Sequence, residues 1–248
     1  MADGFERVTP PPGIRLAGDY TLGGARLFTA DLHLRAGEWT CLLGRSGTGK
    51  STILRLLLGL ATGGTFAGDI AATDGSDLRN CISYMAQSDL LLPWLPVLDN
   101  VCIGSRLRGE PPDRDRAAEL LDRVGLGPAA QQMPGQLSGG MRQRVALART
   151  LFEDRPVTLL DEPFSALDAS TRADMQDLAA EALSGRTVLL VTHDPAEAAR
   201  LAHQIILLSA HGTQHWPVPP ATPPRAIDDP ATIASQSRLL AHLRSAAA

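Results

Sequence analysis

The chain has 248 residues, of which 23 are Lys or Arg and 27 are Asp or Glu, so that its formal net charge is −4. With 44% hydrophobic residues, this is the composition of an ordinary globular protein of one large domain or two small ones. Because basic residues are not in excess, bulk charge gives no indication of nucleic-acid binding.

The termini and apolar runs predict a protein that stays in the cytoplasm. The first seven residues lack the apolar core of a signal peptide. The longest conspicuous apolar run, residues 90–98, contains two prolines and is much shorter than a membrane span. Cys41, Cys81 and Cys102 lie in apolar surroundings without CxxC spacing, which predicts reduced cysteines in the core.

The first part of the chain predicts short strands. A proline run at residues 10–12 indicates a turn, and residues 13–17 and 25–34 are strand candidates, closed by a turn at 37–38. Tyr20 could stack on an adenine ring, with Phe28 as a rival. An aromatic residue packed at the surface is an equally weighted alternative for Tyr20.

A glycine-rich segment at residues 44–51 fits the phosphate-loop pattern of a glycine, four residues and Gly-Lys-Ser. A strand is predicted before it at 39–43, and a helix after it with apolar positions at 53, 54, 56, 57 and 60. Glycines let the backbone turn successive N–H groups towards a phosphate, and the helix N-terminus adds partial positive charge. Lys50 would reach the β- and γ-phosphates and Ser51 would bind Mg²⁺. The residues expected to contact the nucleotide here are Gly44, Arg45, Ser46, Gly47, Thr48, Gly49, Lys50, Ser51 and Thr52.

Lys50 is the only lysine in the sequence, since the other 22 cationic residues are arginine. An ammonium group is a compact point charge that fits inside a tight loop, whereas a guanidinium group is planar and wide. The occurrence of the single lysine at this position of the loop favours a nucleotide site over a glycine-rich turn that binds no ligand.

The middle of the chain changes in character after residue 87. A glycine-rich turn is predicted at 62–68 and a strand at 80–85, which ends near the polar residue Gln87. Residues 90–98 cannot form a regular helix or a central strand, because two prolines remove backbone donors. Helices are predicted from a cap at Asp99 or Asn100 to about residue 107, and over 112–124.

Three further candidate site segments lie at the ends of predicted elements, one before a helix and two after strands. Ser138, Gly139 and Gly140 precede a helix and form a second loop-to-helix anion site, a weak signal when taken alone. Asp161 and Glu162 follow a buried strand at 157–160, where they could hold Mg²⁺ and polarise water, or simply be solvated or cap a helix. His193 follows a strand at 187–191 and would touch the γ-phosphate, although a lone histidine is more often structural.

Over residues 15–215 the chain resembles the ATP-binding subunit of an ABC transporter. The motifs that carry the resemblance occur in order and at compatible spacing: the phosphate loop at 44–51, the Q-loop glutamine Gln87, the signature Leu137-Ser138-Gly139-Gly140, the acidic strand end Asp161-Glu162, the D-loop-like segment 165–168 and the switch histidine His193. Arg45 stands where many relatives carry another residue, and Tyr20 is only loosely placed as the stacking aromatic.

The resemblance implies an α/β fold, with a phosphate-loop NTPase core of mainly parallel sheet, an antiparallel β subdomain and a helical subdomain that bears the signature. It implies one ABC ATPase domain over 1–248, with a core at about 1–87 and 146–215, a helical subdomain at about 88–145 and a tail at 216–248. Two subunits would stack head to tail, with each ATP between Lys50 of one copy and residues 138–140 and Asp168 of the other. Gln87 would contact both ATP and Mg²⁺, which are the implied cofactors, and Glu162 and His193 would be catalytic.

The implied partners are a second ATP-binding subunit, a membrane permease and a periplasmic or lipoprotein substrate-binding protein. The permease would dock near Leu91, Leu92 and Trp94 at the cytoplasmic face of the inner membrane, unless Trp94 simply packs under the helical subdomain. This segment resembles importers of nitrate, sulfonates and taurine, whose relatives import pyrimidine precursors of thiamine. The alternatives are an exporter subunit, or a non-transport ABC ATPase acting on DNA or ribosomes, whose coiled-coil insertion or fused second unit is missing here. Nucleic acid is not expected as a partner.

Overall fold

The structure is a computed structural model that describes residues 11–209 and 211–245 of the chain. The first ten residues, on which the expected absence of a leader depends, lie outside the described residues, as does Pro10 of the proline run. Within the two described ranges, no helix combines the length and the apolar character needed to cross a membrane.

The described residues form nine strands and eight α-helices in a mixed α/β arrangement. The strands are β1 (Ile14–Leu22), β2 (Ala25–Leu34), β3 (Trp39–Gly44), β4 (Thr65–Ala72), β5 (Ile82–Met85), β6 (Val157–Asp161), β7 (Thr187–Thr192), β8 (Gln204–Ser209) and β9 (Gly212–Trp216). The helices are α1 (Lys50–Leu57), α2 (Val97–Val101), α3 (Ile103–Leu107), α4 (Arg114–Arg123), α5 (Gly139–Phe152), α6 (Ala169–Ala182), α7 (Pro195–Leu201) and α8 (Pro230–Ser245). Short 3₁₀ turns lie at Leu78–Asn80, Gly127–Ala129 and Pro134–Gln136.

The larger sheet has six strands in the order β5-β6-β7-β3-β8-β9. Its first five strands are parallel, and β9 is antiparallel to β8. Because the carboxyl ends of parallel strands lie at one edge of a sheet, the loops after β3, β5, β6 and β7 are brought to the same edge. The mainly parallel core expected for a phosphate-loop NTPase is therefore confirmed.

Two apolar clusters cover the two faces of this sheet, and the strand residues alternate between them. Cys41 and Leu43 of β3 belong to one cluster, which also contains residues of α2, α4, α5 and α7, whereas Leu42 belongs to the other. The second cluster contains residues of α1 and of a smaller antiparallel sheet with the order β2-β1-β4. Almost every residue of the central strands is buried, which explains why they read as continuous apolar runs.

The strands predicted at 39–43, 157–160 and 187–191 correspond to β3, β6 and β7, each longer by one residue. The strand predicted at 80–85 begins two residues late, because Leu78–Asn80 form a 3₁₀ turn. The helix predicted at 112–124 corresponds to α4. The elements α6, α7, β8 and β9 were not predicted.

Helix α1 ends earlier than its apolar spacing predicts. Leu60 lies beyond the helix and is 54% exposed. Gly59 adopts a φ of 66°, and the N–H of Leu60 donates to the carbonyl of Arg55 at 2.8 Å. This is a Schellman ending, so the glycine terminates the helix although the apolar pattern continues.

The glycine-rich turn predicted at 62–68 is wrong beyond residue 64, because Thr65 begins β4. Strand β4 pairs with β1, and Gly68 lies opposite Gly18. A Cβ atom at Gly68 would come within 2.2 Å of the carbonyl oxygen of Ala17. These glycines therefore mark a close strand pair rather than a turn.

The helix cap predicted at Asp99 or Asn100 is also wrong, because α2 begins at Val97, directly after Pro96. Asn100 is fully buried, and its amide group instead bonds the backbone of the preceding loop. It accepts from the N–H of Leu92 at 2.7 Å and donates to the carbonyl of the same residue at 3.1 Å. As expected, most of the run at 90–98 forms no regular element.

Helix α5 packs against α2, α4 and β5, and it runs from Gly139 to Phe152. It therefore passes through residue 145, the boundary proposed between the helical subdomain and the core. The division into subdomains and tail stays a prediction. Within the proposed tail, α8 packs against α7, and the buried Leu239 joins the cluster that contains Cys41.

Candidate nucleotide site

The loop between β3 and α1 is built around the ammonium group of Lys50. This side chain is 9% exposed, and its Nζ atom donates to the carbonyl oxygens of Gly44 at 2.7 Å and Arg45 at 3.0 Å. Burial lowers the pKa of Lys50, while the charges of Glu162 and Asp161 act in the opposite direction. The loop thus holds a cation whose hydrogen bonds are satisfied inside the loop itself.

Two glycines of this loop have backbone angles that favour glycine. Gly47 has a φ of 82° and Gly49, directly before α1, has a φ of 98°, in the left-handed region that other residues rarely adopt. A Cβ atom on Gly49 would also lie 2.5 Å from the ring of Phe28. Gly49 therefore allows both the turn into α1 and the close contact with the aromatic ring.

Ser51 and Asp161 meet where α1 and β6 approach each other. The Ser51 hydroxyl donates to Oδ2 of Asp161 at 3.4 Å, and the Tyr84 hydroxyl also bonds this carboxylate. Burial and the nearby Glu162 raise the pKa of Asp161. Burial, with the charge of Asp161, raises the pKa of Tyr84 to about 12.

This pair of oxygen donors fits Mg²⁺. No group of three or more His, Cys, Asp or Glu residues that could hold a metal occurs among the described residues. A site with one carboxylate and one hydroxyl still suits Mg²⁺, because this ion is usually bound by one or two carboxylates together with phosphate oxygens of the substrate. Tyr84 was not among the predicted residues; its place on β5, beside β6, brings it to Asp161.

Glu162 lies at the centre of the site and is held by backbone and side-chain contacts. It has a φ of 50°, unusual for a residue other than glycine and frequent at functional sites. Its Oε2 accepts from Nε2 of Gln87 at 3.2 Å, and its Oε1 lies 3.1 Å from Nδ1 of His193. Three residues predicted from separate stretches of sequence, at 87, 162 and 193, are therefore in direct contact.

Gln143 is a site residue that the sequence interpretation missed. It is 5% exposed on α5; its Nε2 donates to the carbonyl of Glu162 at 2.9 Å, and its Oε1 accepts from the N–H of Ala166 at 2.8 Å. It thereby fixes the unusual backbone turn at Glu162. A polar residue between buried positions of a predicted helix was the only available signal.

A small cavity of about 60 Å³ lies beside Glu162 and His193, and its lining includes Thr192 and Glu197. Glu197 is 3% exposed. Burial raises its pKa to about 7, although a hydrogen bond from Thr192 opposes the shift. The hydroxyl of Thr192 also accepts from the N–H of Asp194 at 3.0 Å, so these side chains brace the turn that carries His193.

The signature lies at the start of α5, and beyond the buried Leu137 it reaches the surface. Ser138 caps the helix by accepting from the N–H of Met141 at 3.2 Å. Ser138 and Gly139 are exposed and Gly140 is half-buried. Asp168 is likewise exposed and caps α6 by accepting from the N–H of Thr171 at 3.0 Å. Among the described residues, neither the Ser138 hydroxyl nor the Asp168 carboxylate bonds the phosphate loop of its own chain.

Tyr20 does not lie where a base could stack on it, which corrects that expectation. Its ring is 1% exposed and stacks on Phe28 with 5.3 Å between centroids. Its hydroxyl donates to the carbonyl of Thr62 at 2.8 Å. Tyr20 and Phe28 are both core residues, so the alternative of a surface aromatic is wrong as well.

The three residues expected to dock a permease differ in exposure. Trp94 is 68% exposed, so it does not pack under the helical subdomain. Leu92 is half-buried. Leu91 is only 9% exposed and belongs to the main apolar cluster, so it is removed from the expected docking surface. Leu90, at 61% exposure, is the exposed leucine of this run.

Fold and site together define a phosphate-loop nucleotide-binding protein of the α/β class. The family model described as ABC transporter matches residues 27–165, more than half of the chain. The chain belongs to the ABC transporter family, and it is an ATP-binding protein that hydrolyses ATP in coupling with transport.

Curated relatives and a solved structure agree with this assignment. An aliphatic sulfonates import ATP-binding protein, SsuB, of Escherichia coli strain K12 is 48% identical over 182 residues, which cover 72% of this chain and 69% of the relative. SsuB 1 of Rhodococcus jostii is 46% identical over 200 residues, 79% of each chain. A solved structure, that of the ATP-binding cassette MJ0796, matches with a TM-score of 0.71 and 30% identity. The match covers 86% of this chain and 99% of that one. MJ0796 was solved as a dimer in a post-hydrolysis state bound to ADP and Pi.

Proposed function

We propose that this chain is the ATP-hydrolysing subunit of an importer of aliphatic sulfonates, working with a separate membrane permease. The observation that carries the ATPase part is the contact of Glu162 with both Gln87 and His193, next to the Ser51–Asp161 pair. The sulfonate part rests on two relatives of 46% and 48% identity that carry that name. Nitrate, taurine and thiamine precursors remain alternative cargoes.

The phosphate loop would bind the β- and γ-phosphates of ATP through its backbone N–H groups, with contacts along residues 44–52. Lys50 would move its ammonium group from the carbonyls of Gly44 and Arg45 to the phosphate oxygens. Ser51 and Asp161, assisted by Gln87, would hold Mg²⁺, which supplies charge neutralisation as phosphoryl transfer proceeds.

Glu162 would act as the general base for the attacking water. Its carboxylate is 17% exposed, and it is oriented by Gln87 and by His193, whose other ring nitrogen is free to face the γ-phosphate. General bases of this kind contribute about 10² to 10⁴ to the rate. The cation of Lys50 and the metal would stabilise the charge that develops on the transferred phosphoryl group.

A second copy of the chain would complete each site. Ser138, Gly139 and Gly140 present backbone donors and a helix N-terminus to solvent, which is an anion-binding arrangement. These residues, with Asp168, would contact ATP held by the phosphate loop of the partner copy. The dimeric state of MJ0796 supports this arrangement for a protein of this fold.

The permease would dock on the exposed indole of Trp94, with Leu90 and Leu92 beside it. Large exposed aromatic side chains are enriched at the energetically important centres of interfaces. This contact would hold the chain at the cytoplasmic face of the inner membrane. A periplasmic or lipoprotein substrate-binding protein would deliver the sulfonate to the outer side of the permease.

Growth on defined sulfur sources tests this proposal. A strain that lacks the gene should grow on sulfate but not on an alkanesulfonate, and the wild-type gene should restore growth, whereas the Glu162→Gln gene should not. Parallel cultures test the other cargoes. One is grown on taurine, one on nitrate, and one without thiamine but with its pyrimidine precursor. Normal growth of the deletion strain on alkanesulfonates, with failure in one of these cultures, would overturn the sulfonate assignment and leave the ATPase role standing.

A further inference from the structure

The structure brings the signature end of α5 into contact with the segment that carries Trp94. We call residues 89–96 the docking loop. We propose that Arg142 is a positioning residue that couples the signature to the docking loop through Asp89. The inference rests on the proposed function, since it assigns a route between the partner's ATP and the permease.

The guanidinium group of Arg142 has two partners on different segments. Its Nε donates to Oδ2 of Asp89 at 3.0 Å, and its NH1 donates to the carbonyl of Leu137 at 2.8 Å. Leu137 is the buried residue directly before Ser138. One rigid planar group therefore spans the signature turn and the first residue of the docking loop, which the single point charge of a lysine could not do.

Arg149 extends this connection along the same face of α5. It lies seven residues, or about two turns, after Arg142, and it donates to the carbonyls of Asp89 at 2.6 Å and Leu90 at 3.0 Å. Asp89 in turn accepts from the N–H of Leu91 through Oδ1 at 3.1 Å. The start of the docking loop is thus attached to α5 by its backbone as well as by its side chain.

The other end of the docking loop is held by the buried Asn100. Its amide donates to the carbonyls of Leu95 at 2.9 Å and Pro96 at 3.2 Å, in addition to its bonds with Leu92. The loop that carries Trp94 is therefore braced at both ends. A small rotation of α5 at its signature end would shift the loop as a unit rather than deform it.

The coupling would run from the signature to the docking loop, because the signature end of α5 is the end that a second copy can reach. Ser138 and Gly139 are exposed, and the bonds of Ser138 to Met141 and Arg142 belong to the start of its own helix, so a second copy's ATP can reach and shift this end of α5. Arg142 is a partly exposed ion-pair partner, with 36% exposure against 32% for Asp89, and such pairs contribute little to stability. The contacts of Arg142 are therefore better suited to transmitting position than to holding the fold together.

Hydrogen exchange on the full chain tests the inference without the permease. In the Glu162→Gln background, MgATP should slow exchange in peptides covering residues 134–141 and also in peptides covering 88–96. Adding Arg142→Gln should leave the first response and remove the second. Arg142→Lys, which keeps a cation within reach of Asp89 but cannot also bond the carbonyl of Leu137, should likewise leave the first response and remove most of the second. Arg123→Gln on α4, which breaks the 3.1 Å pair with Glu181 of α6, is the matched control and should change neither.

Asp89→Ala provides an independent variant, because it removes the carboxylate and leaves the Arg142–Leu137 contact intact. It should reproduce the loss at residues 88–96. Persistence of the docking-loop response in both Asp89→Ala and Arg142→Gln, with dimers present, would overturn the inference. So would the absence of that response in the Glu162→Gln dimer itself. Failure of the Glu162→Gln chain to form ATP-dependent dimers would instead contradict the proposed function.

Discussion

The phosphate-loop half of the site and the signature half differ in how many of their polar groups find hydrogen-bond partners within one chain. Lys50 is buried and its ammonium group already has two backbone partners, and Asp161 has both a serine and a tyrosine partner. The signature residues beyond Leu137, by contrast, are exposed or half-buried, and the hydroxyl of Ser138 is used only to cap its own helix. One half is preorganised within the chain, whereas the other leaves the start of its helix open to solvent.

The comparison teaches that binding and turnover can be separated by mutation. Changes in the preorganised half should affect nucleotide contact in a single chain. Changes in the signature half should leave that contact intact and affect only what needs two copies. The four predictions that follow use this difference, beginning with the largest expected effect.

Modification of Lys50 should remove ATPase activity completely. An amine-directed reagent has only this side chain and the N-terminal amine to attack, because the chain has no other lysine. Since burial lowers the pKa of Lys50, its neutral and reactive form should appear at a lower pH than for an ordinary lysine. Peptide mapping should show that MgATP protects Lys50; full activity with Lys50 fully modified would rule out the phosphate contact.

Ser138→Arg should suppress ATPase activity by about tenfold or more, comparable to the loss of one or two charge-assisted contacts in the reacting complex. The affinity of the monomer for a fluorescent ATP analogue should stay within about twofold, because in the proposed dimer the signature would contact the nucleotide of the other copy. Ser170→Arg, at an exposed position of α6, is the matched control. A large affinity loss in the Ser138→Arg monomer would contradict the division into two halves.

Trp94→Ala should leave the ATPase rate of the isolated subunit within about twofold and weaken assembly with the permease. An indole at an interface hot spot is worth about 2 kcal/mol or more, which corresponds to about thirtyfold in affinity. Co-purification with the permease and uptake measurements check this. Leu107→Ala, which removes another highly exposed apolar side chain, serves as the control. Intact assembly of the Trp94→Ala subunit would remove Trp94 from the docking surface.

Glu197→Gln should have the smallest effect, a pH-dependent gain in stability. The pKa of Glu197 is raised from 4.5 to about 7, so the folded state favours its protonated form. The stabilisation associated with that proton is complete below about pH 4.5 and is lost as pH rises to about 7. Relative to wild type, the variant's free energy of unfolding should therefore rise between pH 5 and pH 8. A difference between the two proteins that is constant over this range would contradict the shift.

The sequence could predict the parts of the site that are contiguous in the chain. The phosphate loop and the Asp161-Glu162 strand end are local patterns, since a strand, a glycine turn and a helix within about fifteen residues already dictate their geometry. The contact of Glu162 with Gln87 and His193 could also be anticipated, because parallel strands deliver their following loops to one sheet edge.

The missed features depend on packing between distant segments. Gln143 reaches the carbonyl of Glu162 only because α5 crosses from the signature to the sheet, and nothing in its neighbours indicates that direction. Tyr20 was predicted to meet a nucleotide base, but the pairing of β1 with β2 places it against Phe28. Asn100 resembled a helix cap locally, while its buried amide bonds the loop before the helix.

The central claim is that two copies of this chain share each ATP, with Glu162 as the general base. Sedimentation velocity of the Glu162→Gln chain with and without MgATP, together with its ATPase rate, tests it most directly. The account predicts a monomer without nucleotide, a stable dimer with MgATP, and a rate lowered by about 10² to 10⁴. A chain that binds ATP yet stays monomeric, or that hydrolyses ATP at the wild-type rate, would contradict it.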